Sequence, residues 1–544
     1  MKVLNRLLRL LQQIINKLES SQVGLVSWLI VFFSFVFLRN FLDSLVVFSN
    51  PRWQFFFLHA PALYLALFLC FILLNYFLTK ERIEKISRIS LWTAPLLLLP
   101  PLIELFVFRG AVVIAKYNEL APRISGIKDF LGLFFKYMFF NPNGLLYFGG
   151  SSSVLSGLSA DVKNILTYNY GLRIELNIIL LFFLFYIFFK TRSVWKVFLG
   201  LGGAYLIFFV MGYFPYFFTT LLGLPNSSAS FHNVSKLNPG FEWNYILFAL
   251  YFILIFILAT AWFYIYDKKK LIALVKNLRI FRIGLYLGAL YYGIYLAQPT
   301  WRFGFFDWLI IILASLAVVF SWLFAVGSND LMDEQADKMN KPERPLPSGV
   351  FARSEVKSLN IIFRIVSYVC ALVAGYGFFI TILVRSAISY LYSNPPFRLK
   401  KIPLVATFCI AGGVLLGVMG GYLLLSDNSL YNFPVKLAGL ILAVLTLSTN
   451  VIHLKDERGD KQDQVWTIPV IFGLARGKKI VGWLTAVSFL IPPVIYFEHC
   501  RFLIIPSLIC AGLSYYLINR QNFKEWPVFL LYCFYTIPVA LYLY

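Results

Sequence analysis

Apolar stretches of about 20 residues, long enough to cross a bilayer as a helix, recur from one end of this 544-residue chain to the other. The polar connections between them are short. No soluble catalytic domain has room to fold there, so any active site must lie in or at the membrane. The composition agrees: 60% of residues are hydrophobic and 13% are charged, far from the balance of a soluble protein of this size. The chain reads as an all-α, polytopic membrane protein whose surroundings are the lipid bilayer. A net charge of +23 raises nucleic acid as a partner. The Lys and Arg residues, however, cluster in short loops beside the apolar runs, as cytoplasmic flanks facing anionic headgroups do, and no nucleic acid is expected. The six cysteines lie mostly inside apolar segments without metal-ligand spacing and read as small core residues.

In the first half, apolar spans fall near 23–48, 55–78, 89–108, 174–190, 196–217 and 243–266, which makes about six crossings. The long stretch from Arg109 to Arg173 between the third and fourth reads as a re-entrant or interfacial segment. The N-terminus threads Lys2, Arg6, Arg9 and Lys17 between Leu and Ile residues, the pattern of a surface-lying amphipathic helix. The run Asp267-Lys268-Lys269-Lys270 closes the sixth span. The expected division is therefore an N-terminal transmembrane module, 1–270, with no motif tied to chemistry, and a second module, 271–544.

The second half offers spans near 281–298, 307–326, 356–374, 375–392, 402–425, 433–452, 479–497, 502–519 and 526–543, about nine crossings. Its loops after even-numbered spans share one side and carry most of the cations, among them Lys338, Lys341, Arg344, Arg353, Arg398, Lys400, Lys401, Lys455 and Lys461. The positive-inside bias makes that face cytoplasmic, and the plasma (inner) membrane is the expected location.

In a chain otherwise poor in acid, two loops on that face hold acidic clusters: Asn329, Asp330, Asp333 and Asp337 in one, and Asp456, Asp460 and Asp463 in the other. On a helix the three aspartates of each cluster fall within an arc of roughly 60°, so each cluster is one acidic stripe. Carboxylates crowded in this way repel unless cations lie between them. Hard oxygen ligands of this kind suit Mg2+, which keeps waters and shares phosphate oxygens. A diphosphate is the natural substrate.

The first cluster reads Asn329-Asp330-Leu331-Met332-Asp333-Glu334-Gln335-Ala336-Asp337 and continues as Arg344-Pro345-Leu346-Pro347-Ser348-Gly349. It resembles the NDxxDxxxD motif and RPLPSG extension of the UbiA superfamily of intramembrane prenyltransferases. The segment Asp456-Glu457-Arg458-Gly459-Asp460-Lys461, with Thr467-Ile468-Pro469-Val470 beyond it, is similar to that family's second motif, DxxxD. A third piece, Tyr392-Ser393-Asn394-Pro395-Pro396-Phe397-Arg398-Leu399-Lys400, is similar to a YSxPPxRLK stretch after the fourth helix of several members.

The resemblance covers roughly 272–544. It implies a nine-helix bundle around a lipid-open cavity, closed on the cytoplasmic side by the two acidic motifs. It also implies Mg2+ bridging the carboxylates to a polyprenyl diphosphate. The prenyl group would pass to a hydrophobic or aromatic acceptor: a quinone head group, a chlorophyllide-like ring or a glyceryl phosphate lipid. Carried over by position, Asn329, Asp330, Asp333, Asp337, Asp456 and Asp460 form the metal set. Asp333, Asp337, Asp456 and Asp460 are its catalytic members, and Arg344, Lys400 and Lys461 face the diphosphate oxygens. His453 stands where many relatives carry a further acid, which leaves open whether His453 or Asp463 joins the second metal site.

The chemistry of the residues agrees. When an allylic diphosphate ionises, negative charge builds on the diphosphate, where a divalent metal and fixed cations stabilise it, while the allylic fragment becomes cationic. Tyr292, Trp322, Tyr368, Tyr390 and Tyr392 lie on apolar segments and offer faces to such a cation. With aromatics at 19% of the chain, packing and lipid contact compete for each of them. Two further readings stay open: phosphoribosyl transfer to a polyprenyl phosphate within the same superfamily, and a transporter whose acidic loops bind cations at a gate.

Overall fold

The computed structural model describes residues 2–47, 53–108, 170–221, 243–300, 302–425, 429–462, 464–497 and 501–543. The expected interfacial segment falls mostly in 109–169, outside the described residues, and so does Asp463. Among the described residues every regular element is helical. Hydrocarbon demands this of a spanning segment, because each backbone N–H and C=O must be paired within its own helix. Thirteen of these helical segments are long and apolar enough to cross a membrane. The chain divides after Lys268 into two compact units.

The first unit holds α1 (Lys2–Glu19), α2 (Leu25–Val47), α3 (Ala60–Thr79), α4 (Ile83–Leu91), α5 (Leu99–Phe108), α6 (Tyr170–Thr191), α7 (Val194–Leu221) and α8 (Trp243–Tyr266). The amphipathic N-terminal stretch is helical and buries Ile15 in a core with Trp28, Phe32, Ile83 and Ile86. The third expected span, 89–108, is not one straight helix. Pro95, Pro100 and Pro101 lack N–H donors, and the segment breaks into α4, a 3-10 turn over Ala94–Leu98 and α5. The membrane-length segment here runs Ile83–Ile103.

Two polar centres tie this unit together. Arg39 on α2 forks onto Glu175 of α6 at 2.9 and 2.8 Å and lies over the Tyr64 ring of α3. Glu19 accepts a hydrogen bond from Tyr186 at 3.0 Å and pairs with Lys190 at 2.6 Å. Charges away from water occur paired because a lone one is too costly.

In the second unit, α9 (Lys268–Lys276) straddles the division and is followed by α10 (Ile280–Ala297), α11 (Phe305–Met332), α12 (Glu334–Asn340), α13 (Arg353–Ala374), α14 (Tyr376–Ser393) and α15 (Val405–Leu423). Then come α16 (Val435–Ser448), α17 (Glu457–Gln462), α18 (Ile468–Phe472), α19 (Leu474–Ile495), α20 (Ile504–Asn519) and α21 (Glu525–Leu543). The long helices lie at the segments expected from hydropathy. Helices α14 and α21 fall outside the thirteen membrane-length segments, and in α14 the buried Arg385 interrupts the apolar run. Helix α11 packs on α13 and α14, α14 packs on α15, and α15 packs on both α10 and α16, which leads on to α19, α20 and α21.

Small residues set the crossing of α10 and α15. Gly413, Gly417 and Gly421 recur at four-residue spacing along one face of α15 and meet Tyr286, Ala289 and Leu290 of α10. A Cβ added at Gly421 would stand 2.0 Å from the Leu290 carbonyl oxygen, and one at Gly293 would stand 1.9 Å from that of Val418. The two backbones therefore touch, the way helices gain contact where lipid supplies no hydrophobic drive. This crossing holds Tyr286 against Trp322 of α11, ring centroids 5.3 Å apart.

Candidate active site

Helix α11 carries the first acidic motif out of the apolar layer. Asn329 and Asp330 lie in its last turn, Asp333 sits between α11 and α12, and Asp337 lies on α12. The chain then turns back through Arg344–Gly349. Ser348 N–H donates to the Arg344 carbonyl at 2.9 Å and Phe351 N–H to that of Pro345 at 3.0 Å. Leu346 is buried beneath the turn, and Gly349 takes the positive φ of 73° that a side chain would strain. The turn brings Arg344 back over its own acids: Nη1 is 3.3 Å from Asp330 Oδ1 and donates to Asp337 Oδ2 as well.

Asp330 collects two more donors, Asn277 Nδ2 at 3.0 Å and Arg279 Nη2 at 3.2 Å, both from the turn between α9 and α10. Beyond the end of α14, Arg398 Nη2 lies 2.9 Å from Asp333 Oδ1, and the buried Lys400 ammonium donates to both Asp333 oxygens. The YSxPPxRLK stretch thus clamps the centre of the first motif.

The second motif follows a 3-10 turn over Thr449–Leu454. Asp460 N–H donates to the Asp456 carbonyl at 2.8 Å, and Val465 N–H donates to that of Asp460 at 2.8 Å, which fixes α17. Helix α17 packs on α12, and Lys341 Nζ bridges to Asp456 Oδ1 at 3.0 Å. Trp466 N–H reaches the Lys401 carbonyl at 3.3 Å, joining this motif to the third stretch. His453 Nδ1 lies 3.5 Å from Asp460 Oδ2. A small cleft opens between these pieces, lined by Lys400, Thr407, Asn450, His453 and Thr467. Tyr392 lies within electrostatic reach of both Asp333 and Asp460.

Burial pushes the Asp337 carboxyl above its ordinary value, and the Arg344 charge works against that rise. Arg279 is pushed down to about 10, first by burial and then by the like charge of Arg344. Among the described residues, no three Asp, Glu, His or Cys side chains stand close enough to hold a metal unaided. A hard divalent cation bound here would have to complete its shell with water and phosphate oxygens. Asp460 Oδ2, His453 Nε2 and Thr467 Oγ1 are buried without a hydrogen-bond partner, the condition of groups whose partner is a ligand. The oxygen-rich donors of each motif fit such an ion.

Of the residues singled out in the sequence, Asp330 and Asp337 meet on Arg344, Asp333 meets Lys400, and Asp456 pairs with Lys341, whose N–H donates to the Asp337 carbonyl at 2.8 Å. Asp460 faces His453. Asn329 is half-buried, and its carbonyl accepts from Asp333 N–H at 2.9 Å. Lys461 is exposed on α17. Asn277, Arg279, Arg398 and Lys341 touch the acids without having been assigned to the site from sequence; as cations beside apolar runs, the last three resemble ordinary topology charges. Of the aromatic candidates, Trp322 and Tyr392 face the interior of this unit. Tyr390 is exposed, Tyr368 packs on Phe379, and Tyr292 joins the core under α16.

Residues 286–537 match the UbiA prenyltransferase family. A digeranylgeranylglyceryl phosphate synthase from Sulfurisphaera tokodaii is 30% identical over 34% of this chain and 68% of the relative. One of the same name from Methanosphaera stadtmanae is 25% identical over 39% of this chain and 78% of the relative. Among solved structures, a UbiA homologue from Archaeoglobus fulgidus bound to GPP and Mg2+ is 19% identical. It covers 49% of this chain and 97% of its own, with a TM-score of 0.40.

Proposed function

Because this chain belongs to the UbiA prenyltransferase family, we propose that it moves a polyprenyl group from an allylic polyprenyl diphosphate to a lipid-soluble acceptor, with Mg2+ as cofactor. One observation supports this reading: Arg344 pairs with Asp330 and Asp337, Arg398 and Lys400 pair with Asp333, and Lys341 pairs with Asp456 of the second motif, whose short helix α17 packs on α12. Acids that hold a metal and bases that hold phosphate are both required, and neither set alone suffices.

Asn329, Asp330, Asp333 and Asp337 would hold the metal from one side, and Asp456 and Asp460 from the other. When bound, Mg2+ supplies positive charge to the departing diphosphate. The chain's own cations do the rest. Arg398 and Lys400 pair with Asp333, and Arg344 pairs with Asp337. They are placed to turn onto diphosphate oxygens once those carboxylates are engaged elsewhere. No charge is left unpaired in this exchange, which matters where few of these groups reach water. Trp322 and Tyr392 would offer aromatic faces to the allylic fragment as it becomes cationic.

We assign catalysis to residues 271–544 and an accessory role within the membrane to 1–270. The basic loops around the acidic motifs support a cytoplasmic site in the plasma membrane. Two relatives named digeranylgeranylglyceryl phosphate synthase support a glyceryl phosphate lipid as acceptor ahead of a quinone head group or chlorophyllide-like ring. The test follows diphosphate release and prenylated product from a panel of allylic diphosphates and acceptors in detergent. Mg2+-dependent product from the wild type, lost in Asp333→Asn and Asp460→Asn, is the expected result. A wild type that binds no prenyl diphosphate with Mg2+ present would overturn the reading.

A further inference from the structure

Arg385 lies near the middle of α14, buried, and has no role in the transfer as described. Its Nη1 has no hydrogen-bond partner, and among the described residues no acid forms an ion pair with it. Its guanidinium lies instead over the Tyr286 ring, 4.1 Å from the centroid, and Tyr286 packs against Trp322. Arg385 therefore sits where α10, α11 and α14 meet inside the second unit. Seven residues on, and so on the same face of α14, is Tyr392, which lies within electrostatic reach of Asp333 and Asp460. Two helical turns put Arg385 about 10 Å deeper along α14 than Tyr392.

An uncompensated guanidinium is costly at such a place, and a helix that had only to pack there would need none. Its planar fork matches the oxygens of a phosphate or a carboxylate. We propose that Arg385 anchors an oxyanion of the acceptor, a phosphate monoester or a carboxylate, and so holds the acceptor hydroxyl toward the reacting carbon of the donor. The rise of about 10 Å along α14 between Arg385 and Tyr392 is on the scale of a small anionic acceptor such as a glyceryl phosphate or an aromatic hydroxy acid. This rests on the prenyl-transfer reading above and names the acceptor class of the same site.

The test measures Mg2+-dependent transfer from geranyl diphosphate by the full chain, Arg385→Met and Arg385→Lys. The acceptors are geranylgeranylglyceryl phosphate against its dephosphorylated alcohol, and homogentisate against 2-methylhydroquinone. The wild type should favour the anionic member of one pair, and the pair identifies phosphate or carboxylate. Arg385→Met should raise the KM for that acceptor about 10- to 100-fold and erase the preference, with Arg385→Lys intermediate. Donor binding should stay within about two-fold in both variants. Thermal stability of Arg385→Met should match or exceed that of the wild type, because an uncompensated charge is gone. Equal use of anionic and neutral acceptors by the wild type overturns the proposal, as does a preference that survives in both variants. A less stable Arg385→Met with unchanged acceptor KM marks a packing role and overturns it too. A wild type with no Mg2+-dependent donor binding at all would remove the transferase reading itself, and the proposal with it.

Discussion

Replacing Gly421 by Ala tests the contact between α10 and α15, because a single methyl group must displace a backbone. The added Cβ would stand 2.0 Å from the Leu290 carbonyl oxygen and 2.9 Å from the Ile294 nitrogen. Carbon–oxygen contacts settle at about 3.3 Å or more, so the helices must part by about 1.3 Å. Neither neighbour is a side chain that can rotate away. Overpacking of this kind costs about 1–3 kcal/mol, offset by up to about 1 kcal/mol from the better helix propensity of Ala. The net loss of up to about 2 kcal/mol corresponds to a fall of up to about 3–4 °C in the unfolding midpoint of a unit of this size. Gly412 is the internal control: a Cβ there meets nothing within 4 Å, so Gly412→Ala retains only the helix gain. Both variants are read by thermal unfolding in detergent. Since the same crossing supports Tyr286 against Trp322 and Arg385, Gly421→Ala should also lose prenyl transfer well below its midpoint. Equal midpoints for the two variants would refute the reasoning.

Other perturbations have separable outcomes. Arg344→Ala removes a partner from both Asp330 and Asp337 and should weaken geranyl diphosphate binding, measured by calorimetry, about 10- to 100-fold. Arg353→Ala, which loses only a pair with Glu334 at 2.6 Å on the surface, should change that affinity less than about two-fold. Chelation with EDTA should abolish transfer, and added Mg2+ should restore it; activity that persists in EDTA contradicts the assigned cofactor. In the first unit, Arg39→Ala strands the Glu175 carboxylate and should destabilise by about 3–5 kcal/mol. An Arg39→Met/Glu175→Leu double replacement should recover most of that midpoint.

The limits of the sequence show in particular residues. Asp333, Asp337, Asp456 and Asp460 stood out because helical spacing stacks acids on one face in a chain with few of them. Their partners were harder to see. Arg279 and Lys341 reach the acids in space, yet in sequence they look like any cation flanking a span; Arg398 stood in the YSxPPxRLK stretch, but its partner Asp333 is visible only in three dimensions. Asn277 carries no charge to draw attention. Pro95, Pro100 and Pro101 were visible, but hydropathy averages over them and returns one span where the chain breaks. The stripe Gly413, Gly417, Gly421 has a spacing that can be read directly. Its partner face on α10 cannot, because which helices meet is decided by packing across the whole unit. Arg385 shows the same limit in another form: one cation in an apolar run is obvious, but the absence of a partner acid appears only in three dimensions.

The central claim is that two loops far apart in sequence build one metal-diphosphate site. A double-mutant cycle on Asp333→Asn and Asp460→Asn, read as Mg2+-dependent binding of geranyl diphosphate, tests it most directly. A shared site predicts that either replacement removes most of the binding and that the second adds little, a coupling of at least about 1 kcal/mol. Losses that simply add would mean that the two acidic motifs act separately, and would contradict the account.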